Sequence, residues 1–265
     1  MRFEAAGVAL IAAAAAALPA LSQPAQEPAP SEAAAAPQWE LSAGGDYSAG
    51  RYGAASDTQV SDVRINGKAQ FDRLRLEAVL PYVTIEGPGE LVSGVPVSSG
   101  GSAVSKRSGL GDLSLSAAYR VGEARANGPA LELGGTFKVP TAKAGIGTKK
   151  ADYGLAANLY GNFTPKLSWF GSLGYSWLGD SSVYDLRNGV AGYVGANLAP
   201  TPERNLGFSL AYRARAAAGL DPQLSFNPYL TQRFAKDWGV TLYATAGMTS
   251  ASPRLGAGLS LSWFR

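Results

Sequence analysis

The sequence predicts an all-β protein, an antiparallel up-and-down transmembrane β-barrel of about 12 strands closed between its first and last strand. Three observations carry that prediction. Strands with strict apolar/polar alternation recur from Gln38 to the end of the chain. Short and long connections alternate between them. The aromatic residues collect at strand ends, and all five tryptophans do so.

The last strand shows the pattern most clearly. Leu255, Ala257, Leu259, Leu261 and Trp263 alternate with Gly256, Gly258, Ser260, Ser262 and Phe264. One face is apolar and the other small and polar, over a length close to the ~9–11 residues that a tilted strand needs to cross a bilayer. Phe264 and Arg265 follow the stripe, as at the closing strand of an outer-membrane barrel.

The start of the chain fits export. Met1–Glu4 is a short charged start, Ala5–Leu18 an unbroken run of small and apolar residues, and Pro19–Ser22 supplies small residues for cleavage. Residues 1–22 therefore read as a signal peptide. Residues 23–37, almost all Ala, Pro, Glu, Gln and Ser, cannot bury a core and read as a disordered periplasmic leader. The barrel is expected over 38–265, in the cell outer membrane.

Walking the chain, outward stripes fall at Trp39–Tyr47, Val63–Phe71, Leu74–Tyr82, Leu113–Val121, Leu131–Val139, Tyr153–Phe163, Leu167–Trp177, Leu206–Tyr212, Leu224–Leu230 and Trp238–Ala246. The facing of 188–198 is ambiguous. Pro228 sits inside a stripe, and because it removes a ladder donor a local bulge is expected there. Phe71-Asp72, Thr164–Lys166 and Phe234–Asp237 read as tight turns. The segments 85–108, 140–150 and 179–187 read as long outer loops. A soluble sandwich gives the same alternation, but it would place tryptophan mid-strand. Here Trp39, Tyr119, Phe163, Trp169, Trp238 and Trp263 fall at one level, and Tyr47, Tyr82, Tyr153 and Trp177 at the other. These are the two girdles that a bilayer favours.

The inward set is charged. It comprises Arg64, Lys68, Arg75, Glu77, Asp112, Arg120, Glu132, Lys138, Asp152, Arg213 and Arg215, with Glu40, Asp46 and Asp62 beside them. These side chains read either as a self-compensating, salt-bridged filling or as the lining of a narrow pore with weak anion preference. Arg213 and Arg215, on one stripe with no acid beside them, are the expected constriction.

The chain has 23 Lys and Arg against 20 Asp and Glu, no histidine and no cysteine. Disulfides, thiolate chemistry and Ser-His catalytic pairs are excluded, and no enzymatic activity, metal or cofactor is expected. The basic residues are scattered, which does not point to nucleic acid. The expected partners are outer-membrane lipid and lipopolysaccharide, a small-molecule solute, and the barrel-insertion machinery during assembly. Gly145–Lys150 is phosphate-loop-like only in composition.

Three strings carry a family resemblance: Leu80-Pro81-Tyr82-Val83, Ser108-Gly-Leu-Gly-Asp112-Leu-Ser-Leu, and Phe137-Lys-Val-Pro140-Thr141. In these the chain resembles the outer-membrane transporter family associated with meta-pathway phenol degradation. Asp112 and Pro140 are the positions most closely tied to that pattern. The resemblance implies an outer-membrane barrel linked to uptake of aromatic or other small organic compounds, and it implies no catalytic residues. Two functional readings follow. One is a channel for passive uptake of small organic, aromatic or anionic, solutes. The other is a non-conducting structural or surface-interaction barrel, its lumen filled by charged side chains or by the 85–108 loop.

Overall fold

A computed structural model describes residues 37–265 except 89, 93–94, 98–104, 122–128, 144 and 181–184. The expected signal peptide, and all of the leader but Pro37, lie outside the described residues.

Among the described residues fifteen strands follow one another: β1 (Gln38–Gly50), β2 (Thr58–Phe71), β3 (Leu74–Gly87), β4 (Glu90–Val92), β5 (Val95–Val97), β6 (Ser105–Leu110), β7 (Leu113–Val121), β8 (Ala130–Val139), β9 (Asp152–Asn162), β10 (Leu167–Trp177), β11 (Gly189–Thr201), β12 (Arg204–Arg213), β13 (Gln223–Ala235), β14 (Trp238–Gly247) and β15 (Leu255–Phe264). β4 and β5 form a separate hairpin. β6 and β7 both pair with β3 and are the two halves of one wall strand. The wall therefore has twelve antiparallel strands, and β1 closes it on β15 from Glu40↔Phe264 to Ala49↔Leu255. Trp39 and Arg265 exchange both backbone bonds at the end of that seam (2.8 and 2.9 Å).

Burial is inverted relative to a soluble protein. Leucines and valines stand outside, Leu173 at 67 % exposure, while Ser209 and Ser260 inside are 1 % exposed. This is the pattern of a sheet whose outer solvent is hydrocarbon. Trp39, Tyr47, Tyr82, Tyr119, Tyr153, Phe163, Trp177 and Trp238 are exposed on the outer face, and Trp169 and Trp263 partly so. Ring pairs knit both rims: Trp39–Phe71 (6.0 Å) and Phe163–Trp169 (6.4 Å) at the short-turn end, Phe137–Tyr153 (5.2 Å) and Tyr175–Trp177 (4.9 Å) at the other. Between the rims, small outward residues (Gly67, Ala69, Ala78, Ala117, Gly135) line an external concavity of about 1320 Å³.

The ambiguous segment resolves as β11, with Ala191, Tyr193 and Asn197 buried inward and Val190, Val194 and Leu198 outward. Its inner face carries a ring and an alanine, which erases the polar/apolar contrast. The bulge expected at Pro228 is absent. Phe226↔Ala246 and Tyr229↔Tyr243 share one register, so β13 runs straight past the proline. The backbone pairing is open toward β14 at Asn227 and Pro228, and Thr245 Oγ1 donates to Asn227 Oδ1 (2.9 Å) across that stretch. The register breaks lie elsewhere: between Leu198 and Thr201, between Arg233 and Ala235, and where β6 meets β7.

Three inward rings each lie flat over a directly opposed glycine. They are Phe170 over Gly195, Tyr229 over Gly207 and Tyr243 over Gly258. A Cβ on these glycines would come within 2.2–2.4 Å of ring atoms, so each pair needs the missing side chain. Gly207→Ala should therefore lower the unfolding free energy by about 1–3 kcal/mol, the range for overpacking. A Tyr229→Ala background should remove most of that cost. Denaturant titration of refolded barrels checks both, and additive effects would show that the ring and the glycine do not meet.

Candidate functional site

The lumen has two unlike walls. On β1, β2, β3, β7, β8 and β9 the inward positions are charged and tied together. Arg64 bridges Asp46 and Asp62, its Nε donating to Asp62 at 2.7 Å. Lys68 reaches Glu40 (3.3 Å). Arg75 holds Glu132 at 2.5 Å across the intervening β7, and the Tyr160 hydroxyl donates to the same carboxylate (3.5 Å). Lys138 sits between Asp112 (3.2 Å) and Asp152 (2.8 Å), and Arg120 donates to the Asp72 carbonyl (2.6 Å). Glu77 is buried on the same wall. Buried pairs of this kind roughly break even in net stability, but losing one partner costs about 3–5 kcal/mol. They fix how β3, β8 and β9 sit against each other more than they stabilise the barrel.

The wall from β10 to β15 is nearly free of charge. Its buried inward residues are mostly serine, threonine, asparagine and tyrosine, among them Ser172, Tyr193, Asn197, Asn227, Thr241 and Ser262. Tyr229 OH donates to Asn197 Oδ1 (3.0 Å), and the Thr231 and Thr241 hydroxyls share a bond of 2.9 Å. Arg213 is buried at the upper end of β12. Arg215 lies beyond that strand and is exposed, so the expected Arg213/Arg215 constriction does not form. β12 ends at Arg213, and the alternation that paired the two arginines ends with it. The inward rings Phe170, Tyr193 and Tyr229 escape the alternation rule because they read as lipid-facing. The signal that identifies Phe170 and Tyr229 is the glycine opposite each.

Two clusters of apolar residues form at the long-loop end of the barrel. Inward Val60, Val83 and Ile85 from β2 and β3 cluster with Leu91, Ala142 and Ile146. Leu91 N–H donates to the Ile146 carbonyl (3.2 Å). Val92 and Val97 of the β4–β5 hairpin, 1 % and 2 % exposed, cluster with Ala216 and Ala217 after β12, and Leu178, Leu186 and Leu220 pack against them. The hairpin thus reaches from the β2–β3 side of the mouth to the β10–β13 side. Tyr52, from the β1–β2 connection, is buried and shares a 2.9 Å hydrogen bond with inward Ser48.

Residues 41–265 match the model of a family described as "Putative MetA-pathway of phenol degradation". The chain belongs to this family. No curated protein sequence matches it. Among solved structures it resembles the COG4313 outer membrane channel from Pseudomonas putida F1, with a TM-score of 0.66 at 15% identity over 90% of this chain and 100% of that one. It also resembles the KdgM porin (TM-score 0.54, 10% identity, 84% and 98% covered) and the NanC porin (0.54, 11%, 85% and 99%). At such identities the likeness speaks for the fold, a closed twelve-strand barrel of the outer-membrane channel type.

The three strings in which the chain resembles the phenol-degradation family meet at one point of the wall. β6 and β7 carry one residue more than β3 between Val79↔Ser114 and Tyr82↔Leu110, a β-bulge at Gly111–Asp112. Pro81, which has no N–H to give, faces it, and the Pro81 carbonyl accepts from Gly111 N–H (2.9 Å). A Cβ on Gly111 would stand 2.9 Å from the proline ring. The Thr141 hydroxyl spans the break, accepting from Leu113 N–H (2.9 Å) and donating to the Gly111 carbonyl (3.0 Å). Asp112 accepts from Ala142 N–H (2.9 Å) and holds Lys138. Side chains here take over bonds the interrupted ladder cannot make. Thr141→Val should cost about 0.5–1.5 kcal/mol through the loss of these partly exposed hydrogen bonds, whereas Thr141→Ser should be nearly silent. Urea midpoints of the two variants decide it.

Proposed function

We propose that this protein is a passive outer-membrane channel for small organic solutes, held shut at its outer mouth by the β4–β5 hairpin. The observation that carries this reading is the combination of a closed wall, a polar inner face on its strands, and an apolar lid formed by a separate hairpin. The lid rests on weak, reversible contacts. Burial of a valine is worth about 1.5–3 kcal/mol, so Val92 and Val97 supply a hold that thermal opening can overcome. The membership in a phenol-degradation family and the channel-type fold support the same reading, and they favour small organic solutes as cargo. The orientation follows from connection length, with short turns in the periplasm and the hairpin outside. Lipid and lipopolysaccharide would then cover the outer belt.

The second reading, a non-conducting barrel, draws on the tight burial of the charged wall, where Arg75, Arg120, Glu132 and Lys138 are all nearly inaccessible. Planar-bilayer recording separates the two. Wild-type protein is expected to show brief, small openings. Val92→Ser combined with Val97→Ser should raise the open fraction severalfold, and replacing 88–104 by a short Gly-Ser linker should raise it further. Silence from all three proteins would establish the non-conducting reading.

A further inference from the structure

We infer that the transverse row Glu132–Asn158–Ser172–Tyr193 is the selectivity-determining constriction of the lumen, and that it selects uncharged solutes bearing hydroxyl groups. This rests on the channel reading above and specifies its cargo by chemistry.

The four residues lie in direct register on four consecutive strands. Glu132 opposes Asn158, Asn158 opposes Ser172, and Ser172 opposes Tyr193. All four point inward and are at least nine-tenths buried. Glu132 is committed to Arg75 at 2.5 Å. In the other three, Asn158 Oδ1, Ser172 Oγ and the Tyr193 hydroxyl make no hydrogen bond of normal geometry among the described residues, although the directly opposed Ser172 and Tyr193 hydroxyls are near enough to influence each other. Buried polar groups are nearly always paired, and an unpaired one is costly. Three in one row, crossing the β9–β10 seam where the charged wall meets the neutral wall, mark a place that something else completes.

The chemistry of the row says what that is. Hydroxyls of Ser172 and Tyr193 can donate and accept, while Asn158 Oδ1 accepts. A solute hydroxyl, which does both, pairs with all three in turn as it passes. An ion gains little, because the Arg75–Glu132 pair is self-neutralised and an ion entering a narrow, dry row gives up its hydration. Phe170 stands edge-on to Tyr193 (ring centroids 6.0 Å, 63°) and offers an apolar surface for the carbon face of the solute.

Liposome swelling in ribitol and KCl conductance in planar bilayers, on the full-length protein, test this. Tyr193→Phe and Ser172→Ala should each slow ribitol entry about three- to tenfold, the loss of one hydrogen bond, and leave KCl conductance within about twofold. Ser209→Ala removes a buried inward hydroxyl outside the row and should change neither. Equal changes in both measures would make the row a matter of size alone and overturn the inference, and so would no change in the two row variants. If wild-type vesicles neither swell nor conduct, even with the hairpin removed, the channel reading itself fails, a result distinct from either.

Discussion

Hydrocarbon has no partner for a free N–H or C=O, and every other feature of this barrel follows from that. The wall must close, so the first strand has to find the last, and the β1–β15 seam runs uninterrupted from Glu40 to Ala49. Once closed, the sheet has a lipid side and an inner side, and the period-2 geometry of a strand assigns alternate residues to each. Polar side chains then have only one place to go. The inside of the barrel is a small, enclosed volume into which twelve strands discharge their charged and hydroxyl-bearing groups, and these have to satisfy one another.

They do so by segregation. Charges concentrate on β1–β3 and β7–β9, where opposite signs sit on neighbouring or next-neighbouring strands and can pair. The β10–β15 side avoids charge and relies on hydroxyls, amides and rings laid over glycines. A mixture of the two kinds on every strand would leave ions facing neutral groups, a costly arrangement in a medium of low polarity. Segregation also explains where the wall bends. The bulge at Gly111–Asp112 belongs to the charged side, and its carboxylate serves two masters, the interrupted backbone and Lys138. Electrostatics and wall geometry are therefore set by the same residues there.

Much of this was legible in the sequence. Alternation identifies strands whenever the two faces differ, and it located the wall strands and their short turns, because a bilayer forces the two faces apart. It failed where the faces are alike. β11 has Tyr193 and Ala191 inside and valines outside, so no contrast marks its facing. Phe170 and Tyr229 look lipid-facing by type and are lumenal by position, and only the opposing glycines betray it. Arg215 was grouped with Arg213 because alternation carries no information about where a strand stops. Pro228 was expected to bulge its strand, but a strand can leave its pairing open at a proline without changing register when a side-chain bond such as Thr245–Asn227 spans the stretch. The hairpin β4–β5 was invisible for another reason. Three-residue strands are too short to show a period, and their stability comes from contacts with residues far along the chain, such as Ile146, Leu178 and Ala216.

That hairpin gives the lumen its peculiar order of layers. In the proposed channel a solute from outside would meet valine, leucine and isoleucine before hydroxyls, amides and carboxylates. A polar lid would have bonded to the polar interior and bound tightly to it. The valines of an apolar lid pack only on apolar side chains among the described residues, so lifting it breaks the backbone tie of Leu91 to Ile146 and otherwise exposes mainly apolar area. The barrier to opening then scales with a few buried side chains rather than with a network of ion pairs. The same layer disfavours ions at the entrance, since crossing it requires shedding water with nothing offered in exchange. The lid and the unpaired row beneath it consequently act in the same direction. In the proposed channel the first would admit solutes with apolar surface, and the second would retain those that also carry a hydroxyl.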